Sequence, residues 1–329
     1  MTLDQQTGAR SSPRRVLVTG GAGFIGSHLV RALLARGDEV VVIDNFETGQ
    51  RANLAEVADR IRLVEGSIAD AAAVADALEG VDAVLHEAAL PSVPKSLERP
   101  VDTHRANVVG TLTLLEGCRR MGVQRFVYAA SSSAYGDHAA ESKSEDLEPR
   151  PKSPYAVQKL AGEYYCRVFH ALYGLQTVAL RYFNVFGARQ NPKSQYAAVV
   201  PAFVTRMLAG RPPIVHGDGL QSRDFTYIDN VIEANLAALR APSSACGRVY
   251  NAACGDSITL LRLVASINEI LGTSIEPQHV EARAGDVRHS RADVSAAAEA
   301  LGFRAAVSVD DGLRETVAWY AARVEDFQK

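Results

Sequence analysis

A tyrosine and a lysine stand four residues apart, at positions 155 and 159. In a helix this spacing places both side chains on one face, and a nearby ammonium favours the ionised form of a phenol, whose ordinary pKa is about 10. Such a phenolate can take a proton from an alcohol. Because an ordinary helix surface pair shows the same spacing, the position of these residues in the fold has to decide between the two interpretations.

Three serines, Ser131 to Ser133, directly follow a buried strand that the sequence predicts over 126–130. An open α/β sheet binds its ligands beyond the carboxyl ends of its strands, and a serine there can share or relay the proton taken by the phenol. We therefore predict Ser131, Tyr155 and Lys159 as the catalytic group of an active site.

A glycine-rich turn lies near the start of the chain. Gly20, Gly23 and Gly26 follow the predicted strand 16–19 and open a helical pattern, where the backbone and the helix N-terminus can approach the pyrophosphate of a dinucleotide. Their spacing is GxxGxxG rather than the general GxGxxG. Asp44 ends the next strand, where a carboxylate accepts hydrogen bonds from ribose hydroxyls and repels a 2′-phosphate, which predicts NAD rather than NADP. The alternative is a turn that only packs a helix, with Asp44 as an ordinary turn residue.

Short β-branched runs alternate with helical patterns through the first half of the chain. The predicted strands are 16–19, 40–43, 61–64, 83–86, 126–130 and 178–180, and helices are predicted over 107–121 and 155–173. This alternation predicts an α/β fold with a doubly wound (Rossmann) parallel sheet.

The alternation weakens after about residue 183. We predict an NAD-binding Rossmann domain over 1–182 and a second, smaller substrate-binding lobe over 183–329, with an interleaved boundary possible because 249–252 is predicted to return to the sheet. Loops are predicted over 187–195, 210–221 and 241–247, and a surface loop over 141–154 because that stretch is charged and proline-rich.

Composition excludes several classes of protein. The 329 residues carry 35 Lys+Arg against 38 Asp+Glu and are 47% hydrophobic, so we expect a globular protein with no nucleic acid or membrane partner. The start of the chain lacks the apolar core of a signal peptide, and no apolar run approaches the roughly 18 residues of a membrane span, which predicts a cytoplasmic location. The four cysteines form no Cys-x-x-Cys pair, and His86-Glu87 lacks the second histidine of a zinc helix, so no metal site is expected.

Together these residues resemble the extended short-chain dehydrogenase/reductase family, specifically its nucleotide-sugar 4-epimerase branch. The likeness covers nearly the whole chain, and the motifs that carry it are the glycine turn, Asp44-Asn45, the run 86–89, Asn107, the run 131–136, Pro154-Tyr155 with Lys159, and the runs 181–187, 217–219 and 223–225. The resemblance implies that NAD is held by Gly20, Gly23, Phe24, Ile25, Gly26, Asp44, Asn45, Ser67, Ile68, Ala88, Ala89, Asn107, Tyr155 and Lys159. Ser67 is a departure, since the family usually has an aspartate there to contact adenine.

The same resemblance implies a UDP-sugar substrate. Asn184, Arg223 and Arg283 would hold its diphosphate, a task that suits guanidinium groups because they donate bidentately to phosphate oxygens. The resemblance also assigns Ser132, Ser133, Asp286 and Ser290 to the substrate. Without the family context, a surface ion pair between Arg223 and Asp224 is the favoured interpretation.

The serine triplet favours one reaction within the family. Dehydratases of the family carry Asp-Glu at positions 132 and 133, decarboxylating relatives carry Glu at 133, and a 3,5-epimerising relative carries Cys there. The resemblance therefore implies oxidation at C4 of the sugar, rotation of the ketone and return of hydride to its other face, so that NAD is regenerated at each turnover.

Ser290 bears on substrate choice, because in resembling epimerases a tyrosine at this position restricts the site to glucose and galactose. The small serine, with the runs 196–201 and 285–290, favours UDP-N-acetylglucosamine and UDP-N-acetylgalactosamine, with activity on the non-acetylated pair also expected. Arg181, Arg189 and Arg288 leave a UDP-glucuronate 4-epimerase open as an alternative. A non-catalytic NAD-sensing module is the alternative of another class. The resemblance also implies a homodimer joined through helices 107–121 and 155–173.

Overall fold

A seven-stranded parallel sheet forms the centre of the computed structural model, which describes residues 14–192, 198–282 and 288–328. Its strands run in the order β11-β6-β5-β4-β1-β2-β3. Their bounds are β1 Arg15–Thr19, β2 Glu39–Asp44, β3 Ile61–Glu65, β4 Ala83–His86, β5 Arg125–Ser131, β6 Gln176–Tyr182 and β11 Arg248–Ala252. Strands buried on both faces need nearly continuous apolar runs, which is why the sequence located them. The predicted doubly wound fold is confirmed.

Helices cover both faces of this sheet, and two separate apolar cores lie between the sheet and the helices. The helices are α1 Phe24–Ala35, α2 Ala71–Ala77, α3 Val93–Glu98, α4 Pro100–His104, α5 Gly110–Met121, α6 Pro154–Tyr173, α7 Val199–Leu208, α8 Ile228–Arg240, α9 Leu260–Leu271, α10 Ser295–Leu301, α11 Val309–Ala321 and α12 Val324–Gln328. A wide helical turn over Arg105–Val109 joins α4 to α5. The strand order reverses between β1 and β4, and ligands bind at such a reversal.

The sheet crosses the boundary predicted at residue 182. β11 pairs in parallel with β6, so the predicted return of 249–252 to the sheet is confirmed. Helix α8 packs beside α1 and the central strands, and the buried Arg125 at the start of β5 donates to the carbonyl oxygens of Ala238 and Ala241 at the end of α8. The two halves are therefore interleaved in the sheet, and the functional division between them stays a prediction.

Three small sheets belong to the second half. They pair β7 Val185–Phe186 with β10 Thr226–Tyr227, β8 Ile214–His216 with β13 Gln278–Val280, and β9 Ser222–Arg223 with β12 Ile258–Thr259 and β14 His289–Ser290. The prediction of a loop over 210–221 was wrong at β8, and 241–247 contains a helical turn at Ser243–Ala245. A three-residue strand whose partner lies more than 60 residues away leaves no periodic pattern in the local sequence.

The predicted surface loop over 141–154 is only partly at the surface. Lys143 is 3% exposed, forms a bridge to Ala292, and donates from Nζ to the carbonyl oxygens of His138 and Ala140. Charge and proline content did not indicate this packing because backbone carbonyls, rather than solvent, accept the hydrogen bonds of the Lys143 ammonium group. Among the described residues, no helix is both long and apolar enough to cross a membrane.

Candidate active site

A cleft of about 770 Å³ opens at the carboxyl ends of the central strands. It runs from the glycine turn after β1 to the start of α6. The predicted residues that line it are Gly20, Gly23, Phe24, Ile25, Gly26, Asp44, Asn45, Ser67, Ile68, Ala88, Ala89, Ser131, Tyr155 and Asn184. One continuous surface therefore joins most of the predicted cofactor residues to two of the three predicted catalytic ones.

The glycine turn is closely packed. Gly20 has a φ of 66°, and a Cβ on it would lie 2.8 Å from the Cα of Ala88. A Cβ on Gly26 would lie 2.2 Å from the carbonyl oxygen of Gly20, which also accepts the N–H of Gly23 at 3.0 Å. Helix α1 begins at Phe24 with no acidic residue in its first turn. Its free N–H groups and positive end therefore suit a pyrophosphate.

Asp44 fixes the loop that follows β2. Its Oδ2 accepts the N–H of Ala22 at 2.9 Å and its Oδ1 accepts the N–H of Phe46 at 2.8 Å. Each carboxylate oxygen keeps a further lone pair for an additional donor. A buried carboxylate at this edge suits ribose hydroxyls and disfavours a phosphate, so the residues present fit NAD.

Asn107 lies beneath the cleft, in the wide turn before α5. It is 2% exposed, its Oδ1 accepts the N–H of Leu90 at 2.8 Å, and its Nδ2 donates to Oε1 of Gln158 at 2.8 Å. Asn107 therefore holds the loop after β4 in place, and it is not part of the described cleft lining. Its predicted contact with NAD stays a prediction.

His86 is a structural residue. Its Nε2 lies 2.9 Å from Oγ1 of Thr111 and its Nδ1 lies 2.8 Å from Oγ1 of Thr19, which also accepts the N–H of Ala88 at 3.1 Å. Burial and the nearby Lys159 lower the pKa of His86 to about 3. The imidazole is therefore neutral at physiological pH, and it braces the cleft wall.

Ser131 and Tyr155 meet in the cleft. Ser131 ends β5, and α6 positions Tyr155 at its first turn, where Ser96 Oγ accepts the Tyr155 N–H at 3.1 Å. The pKa of the Tyr155 phenol is raised to about 12, mainly by burial, against a hydrogen bond with Ser131 that lowers it and with a smaller contribution from the negative charge of Glu87 that raises it. Ser133 donates its Oγ–H to Ser131 Oγ at 2.9 Å, which joins the third serine of the triplet to the first.

Lys159 lies behind this pair. It is 4% exposed, and its Nζ donates to the carbonyl oxygen of Ala129 at 2.8 Å. Burial lowers the pKa of Lys159, and the charge of Glu87 opposes the decrease. The sequence predicted that the ammonium would favour the phenolate of Tyr155, but here burial dominates and the pKa of Tyr155 lies above its ordinary value.

Of the predicted substrate residues, Asn184 lines the cleft, whereas Arg223 and Ser290 are not part of its described lining. Arg223 on β9 is the register partner of Ser290 on β14, and Asn184 Nδ2 donates to the carbonyl oxygen of Asp224 at 3.0 Å. Asp224 is fully buried, and its carboxylate accepts three backbone N–H groups. The alternative of a surface ion pair between Arg223 and Asp224 is therefore wrong. Ser132 continues the turn after β5, whereas Arg283 and Asp286 lie outside the described residues.

Several cleft residues were not among the predicted site residues, including Glu87, Lys95, Tyr182 and Gln190, and Arg189, considered only for the UDP-glucuronate alternative, also lines the cleft. Glu87 directly follows β4, and its Oε1 accepts the Tyr182 O–H at 2.7 Å. Burial raises the pKa of Glu87. Its position at the carboxyl end of a central strand was the available signal, but the zinc-motif interpretation drew attention to His86 instead.

Comparison with known proteins places the chain in a family. The model of the NAD dependent epimerase/dehydratase family matches residues 16–253. A UDP-glucose 4-epimerase of Mycolicibacterium smegmatis is 38% identical over 310 residues, covering 93% of this chain and 98% of that protein.

Two solved structures are also similar. A UDP-N-acetylglucosamine 4-epimerase from Methanobrevibacter ruminantium, in complex with UDP-N-acetylmuramic acid, has a TM-score of 0.90 at 37% identity, over 95% of this chain and 99% of that one. A UDP-glucuronic acid 4-epimerase from Bacillus cereus, in complex with UDP-glucuronic acid and NAD, has a TM-score of 0.86 at 33% identity, over 95% and 99%. The chain belongs to the NAD-dependent epimerase/dehydratase family. It is an enzyme that uses NAD.

Proposed function

We propose that the chain is a UDP-sugar 4-epimerase that interconverts UDP-N-acetylglucosamine and UDP-N-acetylgalactosamine, and also accepts UDP-glucose and UDP-galactose. The observation that carries the proposal is the meeting of Ser131 and Tyr155 in a cleft that continues to the glycine turn. The names of the similar proteins support the same class of reaction.

The roles of the chain's own residues follow from the chemistry. NAD, when bound, accepts and returns the hydride of the sugar carbon. Tyr155 takes the proton of the C4 hydroxyl and later gives it back, and Ser131 shares that proton by hydrogen bonding. Asn184 and Arg223 hold the diphosphate, and the ketone turns before reduction so that its other face is reduced.

The serines after β5 disfavour the dehydratase reaction. Loss of water after oxidation requires an acid and a base beside the sugar, whereas positions 132 and 133 carry only hydroxyls and Ser133 Oγ donates to Ser131. Serine hydroxyls do not ionise near neutral pH, so they are poor substitutes for a catalytic carboxylate.

The arginines bear on the UDP-glucuronate alternative. Arg181 is 2% exposed and forms a two-pronged pair with Glu163 at 2.9 and 2.7 Å, and Arg288 pairs with Asp218 at 2.9 and 2.8 Å. Of the three arginines considered from the sequence, Arg189 lines the cleft. The carboxylate of Glu87 lies in the same cleft and would repel a sugar acid, so the alternative is disfavoured.

Substrate choice is tested with Ser290. Wild-type protein incubated with UDP-N-acetylglucosamine, UDP-glucose or UDP-glucuronate, without added reductant, should form the C4 epimer of the first two, identified by NMR. In Ser290→Tyr, kcat/KM for the acetylated sugar should fall about 10- to 100-fold, because the phenol occupies the space of the acetyl group. UDP-glucose should be affected less than about threefold.

Ser290→Ala is the matched control and should keep both activities, since it adds no bulk. Fastest turnover of UDP-glucuronate would support the alternative epimerase. Binding of NAD without turnover of any UDP-sugar would support the sensing module.

The predicted homodimer and cytoplasmic location belong to the same proposal. Helix α6 exposes an apolar row of Val157, Tyr164, Val168 and Leu172, exposed by between 44% and 70%. Rows of this kind on a soluble protein are typical of protein interfaces.

We expect Leu172→Glu to shift the protein from dimer to monomer in light scattering, because a carboxylate would be buried in the interface. Leu220→Glu is the matched control, since Leu220 is 51% exposed in the second half, away from α6. A wild-type protein that is already monomeric at assay concentrations would contradict the proposal.

A further inference from the structure

Glu87 is an acidic side chain that lines the same cleft as Ser131 and Tyr155, and the proposed reaction gives it no role. It follows β4 at the carboxyl edge of the sheet and lines the cleft. Its Oε1 accepts the Tyr182 O–H at 2.7 Å, and the Tyr182 oxygen accepts Nδ2 of Asn235 at 2.8 Å. The phenol hydrogen of Tyr182 has two acceptors, Glu87 Oε1 at 2.7 Å and Asn235 Oδ1 at 3.1 Å, and in the shorter of these bonds it stabilises ionised Glu87.

The charged and titratable groups that face Glu87 come from two other elements. Burial raises the pKa of Glu87 to about 7, whereas the hydrogen bond from Tyr182 on β6 and the charge of Lys159 on α6 both favour the carboxylate. Tyr155 on α6 is affected in turn, because the negative charge of Glu87 raises the pKa of its phenol. Glu87 therefore acts directly on the reaction centre.

The position of Glu87 along the cleft links it to the cofactor. Its neighbour Ala88 packs against Gly20, at the turn that suits a pyrophosphate. On the other side, Glu87 interacts electrostatically with Tyr155. The stretch of cleft between the pyrophosphate turn and the reacting phenol is the part that the nicotinamide half of the cofactor has to use.

We propose that Glu87 is a positioning residue that makes the site bind NAD more tightly, relative to NADH, than it otherwise would. The oxidised nicotinamide ring is positively charged and the reduced ring is neutral, so a nearby carboxylate attracts only the oxidised form. The consequence for turnover rests on the proposed function. A preference for NAD over NADH would limit the lifetime of the reduced cofactor and the escape of the ketone.

The test is an exchange measurement that needs no sugar. Full-length protein is equilibrated with mixtures of NAD and NADH of known ratio, separated from free cofactor, and the bound ratio is measured by fluorescence and absorbance. In Glu87→Gln the bound ratio of NADH to NAD should rise about tenfold, which equals about 30 mV for a two-electron couple. Glu87→Asp keeps the charge, so its bound ratio of NADH to NAD should stay within about threefold of the wild-type ratio.

Glu47→Gln is the matched control, because Glu47 is an exposed carboxylate that lines the cleft near Asp44. We expect it to leave the ratio unchanged. Lowering the pH should protonate Glu87 and so raise the bound ratio of NADH to NAD in the wild type toward the value for Glu87→Gln. The ratio in Glu87→Gln itself should not change with pH.

A Glu87→Gln ratio within twofold of the wild type would overturn the proposal, as would an equal change in Glu47→Gln. If Glu87→Gln does not fold, Tyr182→Phe serves as a second variant: it removes the hydrogen bond that favours the charge and should shift the ratio in the same direction. A ratio that stays unchanged in Tyr182→Phe would then also count against the proposal. Failure of the epimerase assay would leave this exchange result intact, so the two proposals can fail separately.

Discussion

Tyr155→Phe is expected to lower kcat for epimerisation about 10³-fold while the enzyme still binds NAD. The substitution removes one oxygen from a side chain that lines the cleft beside Ser131. The lysine behind Ser131 cannot replace that oxygen, because Lys159 is buried and its Nζ donates to the carbonyl oxygen of Ala129. A serine hydroxyl alone is too weak a base to replace the phenolate.

The pH dependence gives this prediction a second measurement. Burial raises the pKa of Tyr155 to about 12, so the phenol is protonated at neutral pH in the protein alone, and a positive charge in the cleft is needed to ionise it. Because the reactive form is the deprotonated one, kcat should rise with pH along this ionisation in the wild type. The residual rate of Tyr155→Phe should lack that rise.

Tyr164→Phe is the matched control, since Tyr164 lies on the same helix and is 53% exposed. It should keep the wild-type rate and pH profile. Full activity in Tyr155→Phe, measured by NMR with UDP-N-acetylglucosamine, would show that another group is the base.

The cleft illustrates what the sequence can predict. Ser131 and Tyr155 were predicted because one follows a buried strand and the other opens a long amphipathic helix, and parallel strands place such positions at one edge. Both features are encoded in local patterns. The glycine turn and Asp44 were found in the same way, from their order along the chain.

The arrangement of the polar side chains could not be predicted in the same way. Asn107 and Gln158 are bonded to each other across 51 residues, and Arg181 is paired with Glu163 rather than directed at a ligand. Which of several possible partners a buried polar group takes depends on tertiary packing, because each must find a hydrogen bond wherever the fold offers one. The spacing of residues along the chain therefore does not predict which hydrogen-bond partners these side chains take.

Gly26→Ala is expected to lower the affinity for NAD about 100-fold or more, since a displaced turn loses backbone hydrogen bonds to the charged pyrophosphate, each worth about 1.5–3 kcal/mol. The added Cβ would lie 2.2 Å from the carbonyl oxygen of Gly20 and 2.8 Å from the Cα of Gly21. Both are backbone atoms that cannot rotate away, so the turn must open and carry the N-terminus of α1 with it. Titration calorimetry with NAD measures the loss, and circular dichroism reports whether the fold is kept.

Gly117→Ala provides the matched control within α5. There the added Cβ would meet the ends of the Leu78 and Val74 side chains at 2.8 Å, which can move aside, and alanine is the better helix former. This variant should bind NAD like the wild type. Gly23→Ala is a smaller perturbation of the same turn, because its Cβ would lie 3.0 Å from the Gly20 oxygen. Its affinity for NAD should lie between those of Gly26→Ala and Gly117→Ala. Wild-type affinity in Gly26→Ala would mean that the pyrophosphate is bound elsewhere in the cleft, and the glycines would then serve only to pack α1 against β1.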